Sequence, residues 1–542
     1  MPTSTHPFSL NPSQPLNQTH LLSQLLDIVI ALSTEKNTAK LYEKIVHAAQ
    51  EITSADGASL YLVNNTITPT HLDFAIVRNR SLRLALGGPN QEPVPFAPIP
   101  LFLESGAKNL ANVSTYTYHH KKPLTIADAY TALQFDFSGT QRFDQQTGYR
   151  SQSMLTLPLI NHANEVIGVL QLINAQNPQQ QTIAFDPNLE PIALALASSA
   201  AITLDNQLLI QSHKALLDAF IQAIAKAIDA KSPHTSAHCE RVPAITELLA
   251  QAACNTTTGP LKHFDLNEDE WYELRVAAWL HDCGKLSTPD HILDKSTKLH
   301  LLTDQIEAIQ ARFAAHIAQL ELQLAQSTTA SAKQQLQQQI NQRRADCAFL
   351  VEANKGGEFM SEAHQDRIRG IGQLTWVDVN QTTQPLLSEF EINMLCIARG
   401  TLSAEERQLI NQHIEVTIDI LEHLPFPKHL ARVPEYAGGH HEKVDGTGYP
   451  KGLRGDQMSW PARMMAIADV FEALTARDRP YKDPMKLSQA LGILKNMALN
   501  GHIDPDLYTI FIKEKVWQHY AQTYLLPEQI DISQADAFLI ST

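Results

Sequence analysis

Cysteine is scarce in this 542-residue chain: Cys239, Cys254, Cys283, Cys347 and Cys396 are odd in number, widely spread and form no CxxC pair. That disfavours a disulfide framework or a thiolate zinc site and fits reduced thiols in the cytoplasm. Long apolar runs are lacking too. The longest, PIALALASSAAITL (191–204), falls short of the roughly 18–20 residues that span a bilayer and reads as an Ala-rich buried helix, so no membrane insertion is expected. The chain opens without a basic stretch followed by an apolar one, so residues 1–19 are expected as a disordered leader and not a secretory signal. Positive charge is in deficit: 42 Lys and Arg against 57 Asp and Glu leave −15. This argues against DNA or anionic membrane as a partner, and an anionic substrate would need cations gathered locally.

What is present divides the chain; its length suggests two to four domains. Residues 20–195 mix helical patterns with β-rich runs: SLYLV (59–63), MLTLPLI (154–160) and EVIGVLQLIN (165–174). NHANE (161–165) reads as the hairpin connection between the last two, and a sheet flanked by helices is the simplest account. Residues 196–231 then lose strand character. Ile202, Leu209 and Leu216 sit seven apart, and Leu217, Phe220, Ile224 and Ile228 continue at spacings of three and four. This is a long connecting helix, either packed in the ordinary way or paired with a second copy. From Ser232-Pro233, a suitable helix start, the pattern is nearly all α. Within it, Leu302, Ile306, Ile309, Phe313, Ile317, Leu320 and Leu324 form one stripe, STTASA (327–332) breaks it, and Leu336 and Ile340 resume. Residues 300–400 are therefore expected as a projecting helical hairpin, and 518–542 as a C-terminal tail.

Histidines beside acids carry the chemistry. WLHDCGK (279–285) ends an apolar helix pattern in His281-Asp282, and a carboxylate there is costly to bury unless it is paired or bound to metal. His234 and His238 are four apart and share a helix face. His413 follows an S-x-x-E capping box at Ser403 and Glu406; His440 and His441 open HHEKVDGTGYP; Asp469 interrupts the apolar MMAIADVFEAL. Each alone reads equally well as a structural residue. Together, imidazole and carboxylate donors without thiolate suit Mn, Fe, Zn or Ni, and a carboxylate shared by two ions is how two-metal hydrolases clamp a phosphate. Glu442 and Asp445 fit either acids that orient those histidines or solvated loop charges.

HDCGK, HHEKVDGTGYP, AIADVFEALTARDRPYK, GHIDPDL and SAHCERV (236–242) resemble the motifs of the HD-GYP phosphodiesterases, HD hydrolases that cleave cyclic di-GMP; the likeness covers 213–517 apart from the insert. It implies an all-α domain holding two or three divalent ions, Fe or Mn before Zn or Ni. One ion would take His238, His281, Asp282 and Asp469, and the other Asp282, His413, His440 and His441. A third ion in some members is held at the place of His234. Lys285 would reach a substrate phosphate, as would Arg479 and Lys482, although EALTARDRPYK is one residue longer than the usual motif. Gly448, Tyr449 and Pro450 would shape the pocket, and Asp282 would be the bridging catalytic residue. The product would be the linear dinucleotide, GMP or both. A phosphohydrolase acting on another nucleotide, or a cyclic di-GMP receptor that does not hydrolyse, stays open. His281 and His413 lie 132 positions apart, about 100 more than the family usually places there, so the insert interrupts a loop and offers an arm for a protein partner.

TIADAY (125–130), TGYRSQSMLTLPLI (147–160) and EVIGVLQLIN resemble a GAF sensory domain. That implies a small ligand there, or a role in dimerisation. Of a motif common in cyclic-nucleotide-binding members, Asn174, Phe185 and Glu190 remain, but Ala175 and Leu189 replace an ion pair. Losing both partners costs less than losing one, and cyclic-nucleotide binding is left unsupported. The overall expectation is an α+β GAF domain, a connecting helix that forms a homodimer, and a cytoplasmic phosphodiesterase.

Overall fold

A computed structural model describes residues 18–540 apart from 67, 91, 93, 232–236, 358 and 477–483. The leader as far as residue 17, the expected helix start at Ser232-Pro233, and His234, Arg479 and Lys482 lie outside the described residues. The chain divides into two units, Met1–Leu216 and Leu217–Thr542.

In the first unit, helices α1 (Gln18–Ser33) and α2 (Thr38–Thr53) precede an antiparallel sheet of β1 (Ala55–Asn64), β2 (His71–Asn79), β3 (Leu84–Gly87), β4 (Ile99–Pro100), β5 (Leu124–Ile126), β6 (Met154–Ile160), β7 (Val166–Gln176) and β8 (Thr182–Ile183). The main strand order is β3-β2-β1-β7-β6-β5. Helices α3 (Val113–His120) and α4 (Ser138–Thr147) lie between strands, and α5 (Glu190–Lys231) follows them. The 161–165 hairpin forms as expected, with Ile160 opposite Val166. Alternation along β1 and β7 sorts the two faces. Leu60, Leu170 and Leu172 join Leu41 and Ile45 of α2 and Ala193, Leu196, Ala197, Ala200 and Leu204 of α5 in one core. Tyr61 and Val169 face the other side. The alanines let α5 lie close to the sheet. Ala175, at the lost ion-pair position, is buried in this core beside Phe185.

Residues Pro187–Lys231 are long and apolar enough to cross a membrane by length and composition, which the run at 191–204 alone does not reach; core helices pass the same test, and a third of this apolar window is buried. Ile202, Leu209 and Leu216 on α5 are 53%, 41% and 55% exposed.

The second unit takes the end of α5, where Ile221, Ala225 and Ile228 pack with Tyr272, Val276 and Tyr436. It continues with α6 (His238–Cys254), α7 (Glu268–Leu280), α8 (Asp290–Leu293), α9 (Ile306–Gln326), α10 (Ala330–Asn354), α11 (Glu362–Gly372), β9 (Thr375–Val377), β10 (Thr383–Pro385), α12 (Glu389–Leu395), α13 (Ala404–Asn411), α14 (His413–His423), α15 (Val433–Gly438), α16 (Trp460–Thr475), α17 (Leu487–Leu499), α18 (Pro505–Lys513) and α19 (Val516–Tyr524). Helices α6 and α16–α19 share the largest core, around Leu249, Phe471, Leu491 and Trp517.

Three expectations need correction. The insert is more than a hairpin: α9 and α10 pair, but α11, α12 and the β9–β10 ribbon build a separate core with them around Phe313, Leu350, Ile368 and Leu395. The ribbon is confined to the insert and leaves the second unit nearly all α, as expected. Leu302 belongs to no stripe; it lies before α9 and is 93% exposed. Finally, the stretch set apart as a tail is integral, because Ala535 and Phe538 pack on the main core and Tyr508 Oη donates to Phe538 O at 2.8 Å.

The insert's two ends are tied together. Lys298 is buried and its ammonium donates to Leu395 O at 2.9 Å and Ile397 O at 2.7 Å, while Thr401 Oγ1 donates to Lys295 O at 3.1 Å. Burial pulls Lys298 down from 10.5 to about 8. Between those values the unfolded chain binds the proton that the folded chain has released, so Lys298 makes stability rise with pH. The difference in unfolding free energy between the wild type and Lys298→Met should therefore move in favour of the wild type from pH 7.5 to 10; a constant difference would reduce Lys298 to packing.

Candidate metal centre

Four helix ends deliver the donors. His281 and Asp282 follow α7, His413 opens α14, His440 and His441 follow α15 in a turn, and His238 opens α6. Asp469 lies within α16, facing them. Because α15 stops at Gly438, the two adjacent histidines are released from helical divergence and both join one cluster.

The geometry falls into two sets. His238, His281, Asp282 and Asp469 bring ligand atoms within 4.8 Å of one another, and so do His413, His440 and His441. Asp282 joins the sets. Its Oδ2 lies 3.1 Å from His238 Nε2 and 3.3 Å from His281 Nε2, while its Oδ1 lies 3.2 Å from His413 Nε2 and 3.9 Å from His440 Nε2. Asp469 Oδ1 is 3.5 Å from His238 Nε2.

Orientation comes from the backbone. His281 Nδ1 meets Ala278 O at 2.7 Å, His440 Nδ1 meets Ala437 O at 2.6 Å, and His413 Nδ1 meets Ile410 O. A carbonyl only accepts, so in each ring Nδ1 carries the proton and Nε2 turns its lone pair to the centre. His238 is held by Glu472, whose Oε2 is 2.6 Å from its Nδ1, and Arg241 Nε clamps the other oxygen at 2.7 Å. Gly284 keeps the turn after Asp282 against α14: a Cβ there would sit 1.9 Å from His413 O, and its N–H donates to Thr417 Oγ1 at 2.9 Å.

Charge is poised for cations. Burial pushes His440 well down and His441 to about 4, so both rings are neutral at pH 7. Burial opposes ionisation of Asp282 and Asp469, but Lys285 and the histidines outweigh it for the first, and His238, His440 and His441 hold the second at about 2. Burial lowers His238 too, yet its bonds to Asp282 and Glu472 prevail at about 10; a divalent ion entering here displaces that proton. Lys285 Nζ lies 2.5 Å from Asp282 Oδ2 and is pushed up to about 12 by the carboxylates against desolvation. Asp282 Oδ1, His413 Nε2 and His440 Nε2 are buried without a hydrogen-bond partner. Unpaired acceptors that converge in this way are costly unless a cation takes them. The donor set fits divalent metal.

The Gly-Tyr-Pro loop borders the second set. Tyr449 stacks on His441 with centroids 5.0 Å apart. A Cβ on Gly448 would lie 2.3 Å from Lys443 N, so the loop can fold back only with glycine there. Of the two undecided acids, buried Glu442 braces this loop, accepting from Lys451 N at 2.7 Å and Leu453 N at 2.9 Å. Asp445 is a turn residue that accepts from Thr447 N. Neither orients a histidine. Glu472 and Arg241, which do, were missed; the available signal was that Glu472 lies three residues beyond Asp469, on the same face of an apolar helix.

The family profiles for the GAF domain and the HD domain match residues 37–204 and 390–507. A 3'3'-cGAMP-specific phosphodiesterase of Vibrio cholerae is 26% identical over 56% of this chain and 41% of its own. A cyclic di-GMP phosphodiesterase of Pseudomonas aeruginosa is 48% identical over 21% of this chain and 26% of its own. The chain thus covers less than half of these relatives. The crystal structure of a GAF domain from an Acinetobacter phosphoenolpyruvate-protein phosphotransferase is 16% identical, covering 34% of this chain and 93% of its own, with a TM-score of 0.25.

Truncating Glu472 frees the His238 ring. Glu472→Ala should weaken metal binding roughly 10–100-fold in chelator competition, with Glu472→Asp in between; unchanged affinity would show that the clamp is dispensable. Residues 37–204 and 390–507 establish that the chain joins a GAF domain to an HD domain.

Proposed function

We propose that the protein is a metal-dependent phosphodiesterase that opens cyclic di-GMP, under the control of its GAF domain. The observation that carries this reading is the single carboxylate of Asp282 shared between two sets of converging donors. Divalent ions held there would supply Lewis acidity and an activated water. His238, His281, Asp282 and Asp469 would hold one ion, and Asp282, His413, His440 and His441 the other. Lys285, beside the shared carboxylate, can swing its ammonium onto a substrate phosphate and stabilise charge that develops there. Tyr449, stacked on His441, offers a ring edge to the substrate, with Gly448 and Pro450 shaping the loop around it. The relatives' names include both cyclic di-GMP and 3'3'-cGAMP, so the two substrates are to be compared directly. In purified protein supplied with Mn or Fe, cyclic di-GMP should be converted to the linear dinucleotide or GMP faster than 3'3'-cGAMP, and Asp282→Ala should abolish turnover and metal retention together. Binding without turnover would favour a receptor; turnover retained in Asp282→Ala would overturn the assignment.

We also propose that the exposed Ile202, Leu209 and Leu216 of α5 pair two copies in the cytoplasm, and that the insert docks a protein partner. A seven-residue repeat of exposed apolar side chains on a 42-residue helix supports the first; Val379 and Phe359, 91% and 75% exposed, support the second. Light scattering should give a dimer mass for the wild type and a monomer for Leu209→Arg/Leu216→Arg; a wild-type monomer would contradict the pairing.

A further inference from the structure

The GAF domain has a half-open cavity of about 310 Å³ on the sheet face opposite α2 and α5, a volume at the small end for ligand sites. Tyr61, Phe74, Phe96, Phe137, Phe143 and Tyr149 bring aromatic rings to its wall. Tyr61 and Phe74 are 4.6 Å apart, Phe74 and Phe96 5.2 Å, and Phe96 and Phe143 5.8 Å between centroids.

The polar groups decide what such a wall accepts. Among the described residues, Arg78 is the one cation lining the cavity. Its guanidinium has five N–H donors, and all five are spent: on both oxygens of Glu43 and on the carbonyls of Val77, Leu86 and Gly87. Residues 91–95, which precede Phe96, include no Lys, Arg or His. The one acid, Asp136, adds negative charge and already accepts from Ser138 N at 2.9 Å. Tyr149 Oη is committed to Asp56 at 2.6 Å, and Tyr61 Oη to Gln171 Oε1 at 2.9 Å. Gln171 Nε2 is a buried donor that is under-used: its partner is the weakly accepting sulfur of Met154 at 3.8 Å.

We propose that this cavity binds a planar, largely apolar molecule that carries no phosphate or carboxylate and offers one hydrogen-bond acceptor to the Gln171 amide. An anion seated there would give up part of its hydration to aromatic rings and, among the described residues, find no free positive charge in return. The cyclic nucleotides and the protein's own cyclic dinucleotide substrate are excluded by the same reasoning. This inference rests on the reading of the GAF domain as a sensor.

A matched pair of probes tests it on the full chain. Indole-3-carbaldehyde and indole-3-carboxylate share a ring and differ in charge. Calorimetry should show the aldehyde binding at least about tenfold more tightly than the carboxylate, the charge being the group penalised by burial, with no detectable binding of cyclic GMP. Gly139 is an exposed residue at the cavity's edge and an added Cβ would meet nothing within 4 Å, so Gly139→Phe brings a ring to the mouth without a backbone clash; aldehyde binding should be lost in that variant, with the thermal midpoint of the free protein kept. Tighter binding of the carboxylate or of cyclic GMP, aldehyde binding that survives Gly139→Phe, or no aldehyde binding would each overturn the proposal. Aldehyde binding that leaves phosphodiesterase activity unchanged would support this ligand class while overturning the sensory reading.

Discussion

Asp282 presents two buried carboxylate oxygens to two different sets of histidines, and the second unit is arranged around that one residue. A carboxylate with 1% exposure is tolerable only if positive charge surrounds it. Here Lys285 and protonated His238 provide part of that charge, and the lone pairs of His413 and His440 turn to the same point without partners of their own. A site of this kind favours divalent cations because His238, His281, His413 and His440 are already oriented before an ion arrives.

Preorganisation comes from the helix ends. Three histidines each use a carbonyl three residues back, which a helix leaves free at its last turn. Their rings therefore need no separate partner to set the tautomer. His238 opens its helix instead and has no such carbonyl; Glu472 and Arg241 take that role. Gly284 and Gly448 allow the two close approaches that bring the Asp282 turn onto α14 and fold the Gly-Tyr-Pro loop back on itself.

Most of the residues that converge around Asp282 could be picked out in advance as anomalies: a His-Asp pair ending an apolar helix, paired histidines before a glycine-rich turn, an acid inside MMAIADVFEAL. Arg241 was not legible in that way, since a base beside a motif histidine looks like ordinary solvated charge, and Glu472, an acid in the same apolar helix as Asp469, gave a signal but not its partner until the fold pairs them. Strands β1, β6 and β7 of the GAF domain were plain from their β-rich runs between turns, but the nine-residue β2 and the shorter β3, β4, β5 and β8 were not read, and β9 and β10 are three-residue strands with no alternation to read. The α9–α10 pair followed from its apolar stripe, but the separate core that the insert builds with α11 and α12 depends on contacts between segments far apart in the chain. The tail misled for a similar reason: its few apolar residues matter only against the core they cover.

The GAF domain and the metal centre solve opposite electrostatic problems. One spends the cation that lines it, Arg78, on a structural carboxylate and leaves a hollow edged by aromatic rings; the other concentrates donors that only cations satisfy. The shared Asp282 is the claim on which the functional account stands. Anomalous diffraction from crystals grown with Mn, collected at that metal's absorption edge, tests it most directly. The account predicts two peaks about 3.5–4 Å apart, with one oxygen of Asp282 on each; a single peak, or two peaks of which only one touches Asp282, would contradict it.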